Sequence, residues 1–387
     1  MNVYDILRNY RDGRNCTLLG IGPMSKNCVD ATIELASQHK TPLMLIASRR
    51  QIDSEDFGGG YVENWTTMEF ADYVKKNDIE QNVLLARDHG GPWQNELEKS
   101  KKMPLEDAMQ SAKASYKADI DAGFNILHID PSVDIHENPS QDQILERVYE
   151  LYDFCCSYAK EKNKEIIFEI GTEEQSGGNN TAEELEYVLD KMKTFCNENN
   201  FPYPAFVVIQ AGTRVLETQN VGSFDSPVRV NRELPPEIHI PRMINICNKY
   251  NIFMKEHNTD YLSSESLKWQ PRLGIHAANI APEYGVAETR ALIKILKESN
   301  QTDLLNQFLE LSYNSMKWKK WMLKDTKASD YDRSVIAGHY VFSSDECIDI
   351  KNQAKNKIEN LDVLLKNDVK QSIERYINAF NLGATSA

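Results

Sequence analysis

Residues able to move a proton, hold a cation or clamp an anion recur at the ends of short apolar runs in this chain. VLLARDH at 83–89 ends in Asp88-His89, NILHID at 125–130 ends in Asp130, and EIIFEIG at 165–171 carries Glu169 with Glu173-Glu174 just beyond. FVVIQAG at 206–212 carries Gln210, NIFMKEH at 251–257 ends in Glu256-His257, and RLGIHAAN at 272–279 ends in His276 to Asn279. Neutral imidazole nitrogens of His89 and His257 with a carboxylate oxygen of Glu169 make a donor set for Zn²⁺ or a similar divalent ion, with room left for substrate. The bland alternative is a set of histidines hydrogen-bonded where strands leave the core. Glu169 weighs against it, because a carboxylate inside an otherwise apolar run is costly to bury without a partner.

PLMLIAS at 42–48 is followed by Arg49-Arg50, which is either a planar clamp for a phosphate or carboxylate or a solvated surface pair. Gly90-Gly91, Gly177-Gly178, Gly212-Thr213 and Asn258-Thr259 offer backbone amides to an anion, or form tight turns. His39, His136 and His239 fall in helices or loops, whereas His128 lies two residues before Asp130 on the same strand face, both pointing inward. In MKWKKWML at 316–323, helical spacing puts Trp318 and Trp321 on one face, which favours docking against the rest of the protein over nucleic-acid stacking.

The elements that must position these groups are eight apolar runs: the seven above and VLLARDH's earlier counterpart TLLGIG at 17–22. Between them lie segments of helical pattern, such as LEDAMQSAKASYKADIDAG, QILERVYELYDFCCSYAKEK and TAEELEYVLDKMKTFCNEN. In the last, Thr181 and Glu184 form a capping-box pattern. Eight strand and helix units predict an α/β (β/α)8 TIM barrel over residues 1–300, and no GxGxxG opens a dinucleotide fold. Residues 301–387 read as a helical C-terminal extension packed on the barrel. In such a barrel the strand ends converge on one face, so the polar groups named above are expected to meet there.

The chain has 387 residues with 41% hydrophobic, long enough for one large domain and an appendage. A formal net charge of −14 argues against nucleic acid or an anionic membrane as main partner. Seven scattered cysteines without a CxxC pair point to reduced thiols. With neither an apolar leader nor a run of 18 apolar residues, the expected location is the cytoplasm.

DHGGPW at 88–93, AGFNILHIDPS at 122–132, EIGTEE at 169–174, IQAG at 209–212 and EHNTDY at 256–261, with FGGGY at 57–61 and the Trp-Lys-Lys run, carry a resemblance over most of the chain. The chain resembles the accessory-subunit family of class II tagatose-bisphosphate aldolases, whose members are labelled non-catalytic and which is related to ketose epimerases. That resemblance implies Asp88 as proton carrier with Glu174 and Asp130 as further catalytic carboxylates. It also implies His89, Glu169, Gln210 and His257 around a divalent metal, with Zn, Mn, Ni, Co or Mg all open. Gln210 stands where the catalytic aldolases have a histidine. Arg49, Arg50, Gly212, Thr213, Asn258 and Asn279 are the expected substrate contacts. The implied partners are a phosphorylated or acidic sugar and either further copies of the chain or a catalytic aldolase subunit. The implied activity is epimerisation at C4 of a ketose phosphate, or aldol cleavage, with a stabilising subunit as the alternative.

Overall fold

A computed structural model describes residues 3–172, 181–225 and 234–383. Eight parallel strands close into a barrel: β1 Leu18–Ile21, β2 Leu43–Ser48, β3 Val83–Gly90, β4 Ile126–Ile129, β5 Ile167–Ile170, β6 Phe206–Val208, β7 Phe253–Glu256 and β8 Ala277–Ile280. They pair in chain order, and β8 returns to β1 in the register Leu18↔Ala277 to Ile21↔Ile280. Each apolar run of the sequence supplies one strand. The eighth is shorter than expected, because Arg272 and Leu273 complete a helix, Trp269–Leu273, that ends at left-handed Gly274. His276 therefore lies before β8, at the opposite end from the chemistry, and its Nδ1 accepts the Met254 N–H at 2.9 Å.

The two-residue period of the strands sorts side chains between two cores. Leu18, Met44, Ile46, Ala86, Ile126, Ile167, Phe206, Phe253 and Ala277 fill the lower barrel lumen. Their neighbours Leu19, Leu45, Leu85, Leu127, Phe168, Val207, Met254 and Ala278 pack outward against the helices. Continuing the inward parity toward the C-terminal ends reaches Asp88, His128, Glu169, Lys255, His257 and Asn279. The apolar floor thus supports a polar upper layer.

Helix Ala182–Asn199 starts with the capping box foreseen, Thr181 Oγ1 accepting the Glu184 N–H at 3.1 Å and Glu184 Oε2 accepting the Thr181 N–H at 2.9 Å. Helix Lys26–His39 is capped by Ser25. Beyond β8, helices from Thr302 to Lys355 share a second core with Pro282–Glu298. The last helix, Leu361–Ala379, begins in this second core with Leu361 and Leu365 and runs into the main core beside Lys26–His39, where Val369, Ile373 and Ile377 are fully buried. Each such side chain contributes about 1.5–3 kcal/mol to holding it there. All seven cysteines are buried thiols, and among the described residues no helix is long and apolar enough to cross a membrane.

Candidate active site

On a regular strand adjacent residues face opposite sides, so Asp88 and His89 could not both enter the lumen. A bulge resolves this. The β3–β4 register shifts between Arg87↔Leu127 and Gly90↔Ile129, and His89 takes a left-handed backbone at φ 46°. The glycines after it serve close packing: a Cβ on Gly90 would lie 2.5 Å from the Tyr116 ring, and one on Gly91 would lie 2.2 Å from the Asp130 carbonyl oxygen. The Gly90-Gly91 pair is therefore a steric requirement of the bulge, in line with the tight-turn alternative.

Four groups converge in the lumen. Asp88, His128, Glu169 and His257 each offer a ligand atom, all within 4.8 Å of one another. His257 Nε2 lies 3.2 Å from Glu169 Oε1 and 3.9 Å from Asp88 Oδ1, and His128 Nδ1 lies 3.7 Å from both carboxylates. Asn279 reaches in from β8, with Nδ2 at 3.1 Å from His257 Nε2 and 3.3 Å from Asp88 Oδ1. Its Oδ1 is buried without a partner, and Gly20 is the neighbour that leaves it room. Burial pushes the His257 ring below its ordinary value, so it is neutral and able to ligate at pH 7.

His128 and Lys255 were not among the expected site residues. His128 Nδ1 accepts the His89 backbone N–H at 3.1 Å, and its Nε2 is buried without a partner. Lys255 Nζ sits 2.6 Å from Glu169 Oε2, both side chains 1% exposed. Burial alone would raise the Glu169 carboxyl, but the Lys255 ammonium and the His128 and His257 rings outweigh it and bring it down to about 2. The carboxylate predicted as a metal ligand is thus an anion already paired through one oxygen, with Oε1 directed at the histidines. Strand parity was the available signal: His128 is two residues before Asp130, and Lys255 two before His257.

Asp130, expected as a catalytic carboxylate, is placed beside His89. Its Oδ2 lies 2.7 Å from His89 Nδ1, and its Oδ1 accepts from Ser132. A carboxylate on one ring nitrogen fixes the tautomer and aims the other, as around metal sites. The Asp130 contact holds the His89 ring in one orientation. His89, His128, Asp130 and Gln210 also line a cavity of about 10 Å3, together with Gly171 and Thr172, about the size of one water or ion.

Burial would lower the His89 ring, but Asp88 and Asp130 on either side raise it from 6.5 to about 9. Burial would likewise raise Asp88, but His89, His257 and His128 hold it well below the usual carboxylate range. Because the folded value of His89 exceeds the unfolded one, its stabilisation is complete below pH 6.5 and is lost as pH rises through 9. In chelator, the wild type is expected to lose up to about 3 kcal/mol relative to His89→Gln between those values, read from urea melts. Parallel stability curves for the two proteins would overturn the assignment.

The anion-binding residues divide. Arg49 is enclosed, its Nε 3.0 Å from Asp53 and its Nη1 2.6 Å from Glu98 and 3.0 Å from the Gly91 carbonyl. It braces the loops below the mouth and is not a substrate clamp, because every face of its guanidinium is engaged. Arg50 is half-buried beside Glu96 and lines a separate cavity. Thr213 donates its hydroxyl to the His257 carbonyl at 2.7 Å, and Asn220 Nδ2 donates to the Asn258 and Asp260 carbonyls at 2.9 Å. Gly212, at φ 87°, leaves room for Ser223. The Gly212-Thr213 and Asn258 turns are thus stitched together, and they fix His257 in place. Glu173, Glu174 and Gly177-Gly178 lie outside the described residues.

The chain matches the family model described as D-tagatose-1,6-bisphosphate aldolase subunit GatZ/KbaZ-like over residues 3–201, just over half its length. Among solved structures it is similar to a probable tagatose 6 phosphate kinase from Sinorhizobium meliloti 1021, with a TM-score of 0.76 and 16% identity over 94% of this chain and 100% of that one. It is also similar to the fructuronate-tagaturonate epimerase UxaE from Cohnella laeviribosi, with a TM-score of 0.59 and 9% identity over 95% and 81%. A fructose-bisphosphate aldolase from Campylobacter jejuni has a TM-score of 0.56 and 12% identity over 98% and 93%. At these identities the structural likenesses establish the fold. The family match carries further: this protein belongs to the GatZ/KbaZ-like family of D-tagatose-1,6-bisphosphate aldolase subunits.

Proposed function

We propose that the protein is a metal-dependent enzyme of ketose phosphates or related sugar acids, inverting C4 by aldol cleavage and re-addition. The observation that carries this reading is the convergence of Asp88 Oδ1, Glu169 Oε1 and His257 Nε2 at 3.2–3.9 Å above an apolar barrel floor. A neutral imidazole and two carboxylate oxygens at such spacing, beside the unpartnered Asn279 Oδ1, fit a divalent cation of the Zn, Mn, Ni, Co or Mg type. Such an ion supplies Lewis-acid polarisation of a ketose carbonyl. Asp88 Oδ2, the oxygen outside that donor set, accepts the C4 hydroxyl proton as the C3–C4 bond breaks to an enediolate and an aldehyde. It returns that proton when C3 attacks the other face of the aldehyde. The names of the aldolase and epimerase neighbours agree with either half of this chemistry, and aldol cleavage alone uses the same parts.

Lys255 favours a second reading. Its ammonium already neutralises Glu169, so the lumen is electrically supported without an ion, as a subunit that only stabilises a catalytic aldolase would require. The test is incubation with fructose 6-phosphate, tagatose 6-phosphate and ketouronates, with and without chelator, following sugar identity by NMR. Chelator-sensitive interconversion is expected. Absence of turnover, with no metal by elemental analysis, would sink the enzymatic reading in favour of the subunit.

A further inference from the structure

Away from the lumen, residues distant in sequence enclose a second cavity, of about 410 Å3, at the barrel's C-terminal face. One wall is Arg50 and the FGGG loop Phe57–Gly60 after β2, another is Asn95–Leu97 after β3, and the third is Lys317, Lys319 and Lys320 beyond the barrel. Five cations, Arg49, Arg50, Lys317, Lys319 and Lys320, thus line one space in a chain of net charge −14; Arg49 is already paired with Asp53 and Glu98, and the carboxylate among the lining residues is Glu96, 3.1 Å from Arg50. Among the described residues, Lys317, Lys319 and Lys320 form no ion pair. Lys317, Lys319 and Lys320 are exposed, so their ammonium groups are open to a ligand. Three ammonium groups gathered beside Arg50, with Glu96 as the carboxylate among the lining residues, leave an excess of positive charge that an anion stabilises.

The loop's amides are not the donors. The Gly58, Gly59 and Gly60 N–H groups donate to Glu55, Ser54 and Trp65 carbonyls, so the glycines provide a bare wall and the side chains provide the charge. The Tyr61 and Tyr340 rings meet at a tilt of 57° with centroids 4.8 Å apart, and both line the cavity. The loop after β3 also joins this cavity to the lumen. Gln94 Nε2 lies 3.4 Å from Asp130 Oδ2, the carboxylate that orients His89, and the next residue, Asn95, lines the cavity.

We propose that this cavity binds the phosphate group of a phosphorylated sugar through Arg50, Lys319 and Lys320. The identity of the phosphate's carrier rests on the function proposed above, but the binding does not. Phosphomonoester dianions with several cationic donors form charge-assisted contacts, and deleting two of them is expected to weaken binding at least about tenfold.

The test is binding of fructose 6-phosphate, fructose and inorganic phosphate to the full chain in chelator, by calorimetry and by the fluorescence of Trp321, whose ring lies 4.7 Å from Lys320 Nζ. Because turnover is not read, failure here is separable from failure of the catalytic reading. Expected are binding of fructose 6-phosphate, no binding of fructose, a decline with salt, and at least tenfold weakening in Lys319→Ala/Lys320→Ala. The remote pair Lys366→Ala/Lys370→Ala, which faces Glu34, should bind as the wild type does. Equal affinity for fructose and its phosphate, or no loss in the Lys319/Lys320 variant, would overturn the proposal. Inorganic phosphate binding as tightly as the sugar phosphate would overturn the substrate anchor in favour of a free-phosphate site.

Discussion

Turnover of a ketose phosphate by the Asp88→Asn variant is expected to fall by about 10²–10⁴-fold, the range typical of a lost general base. The amide keeps the size of the carboxylate and a polar contact for Asn279, so the fold should survive. What it loses is the anion that carries the proton and the charge that, after burial, acts most strongly on His89. Two consequences accompany the rate loss. The His89 ring should titrate below its wild-type value of about 9, visible by NMR, because one of its two carboxylate neighbours is gone. The deficit should appear in kcat, since Asp88 acts on the reacting atoms and the proposed phosphate cavity is lined by other residues. If the variant turns over like the wild type while its His89 titration moves, Asp88 is an electrostatic neighbour and the base lies elsewhere, Glu174 being the sequence's other candidate.

The barrel was legible because each strand is a short apolar run with a polar stop, and eight of them separated by helical patterns leave little other topology. The lumen was partly legible. Asp88, Glu169, His257 and Asn279 all continue the inward parity of the apolar floor, and strand position alone selects them. That Asp88 and His89 enter together was not readable, because it depends on one extra residue in a register. Nor was the pairing of Lys255 with Glu169, since a lysine within an apolar run usually marks a strand edge or a solvated end. Arg49 and Arg50 show the same limit at the level of one bond. Adjacent and chemically alike, they are engaged differently, Arg49 in a closed network with Asp53 and Glu98, Arg50 beside Glu96 at a cavity shared with lysines about 270 residues further along the chain.

Lys255→Met gives the second large effect and bears on whether the lumen is built for an ion. Lys255 and Glu169 are both 1% exposed, and removing one partner of a buried pair costs about 3–5 kcal/mol because the other charge is left uncompensated. Methionine fills a similar volume without the charge, so the loss should report electrostatics and not a cavity. In chelator the variant is therefore expected to melt well below the wild type. A divalent ion should then recover more stability in the variant than in the wild type, since the ion would meet a Glu169 whose charge is no longer neutralised through Oε2 by the ammonium. Equal stabilisation of both proteins would place any ion away from Glu169. No stabilisation of either would leave Lys255 as the permanent counter-ion of the site, which is the arrangement a stabilising subunit requires.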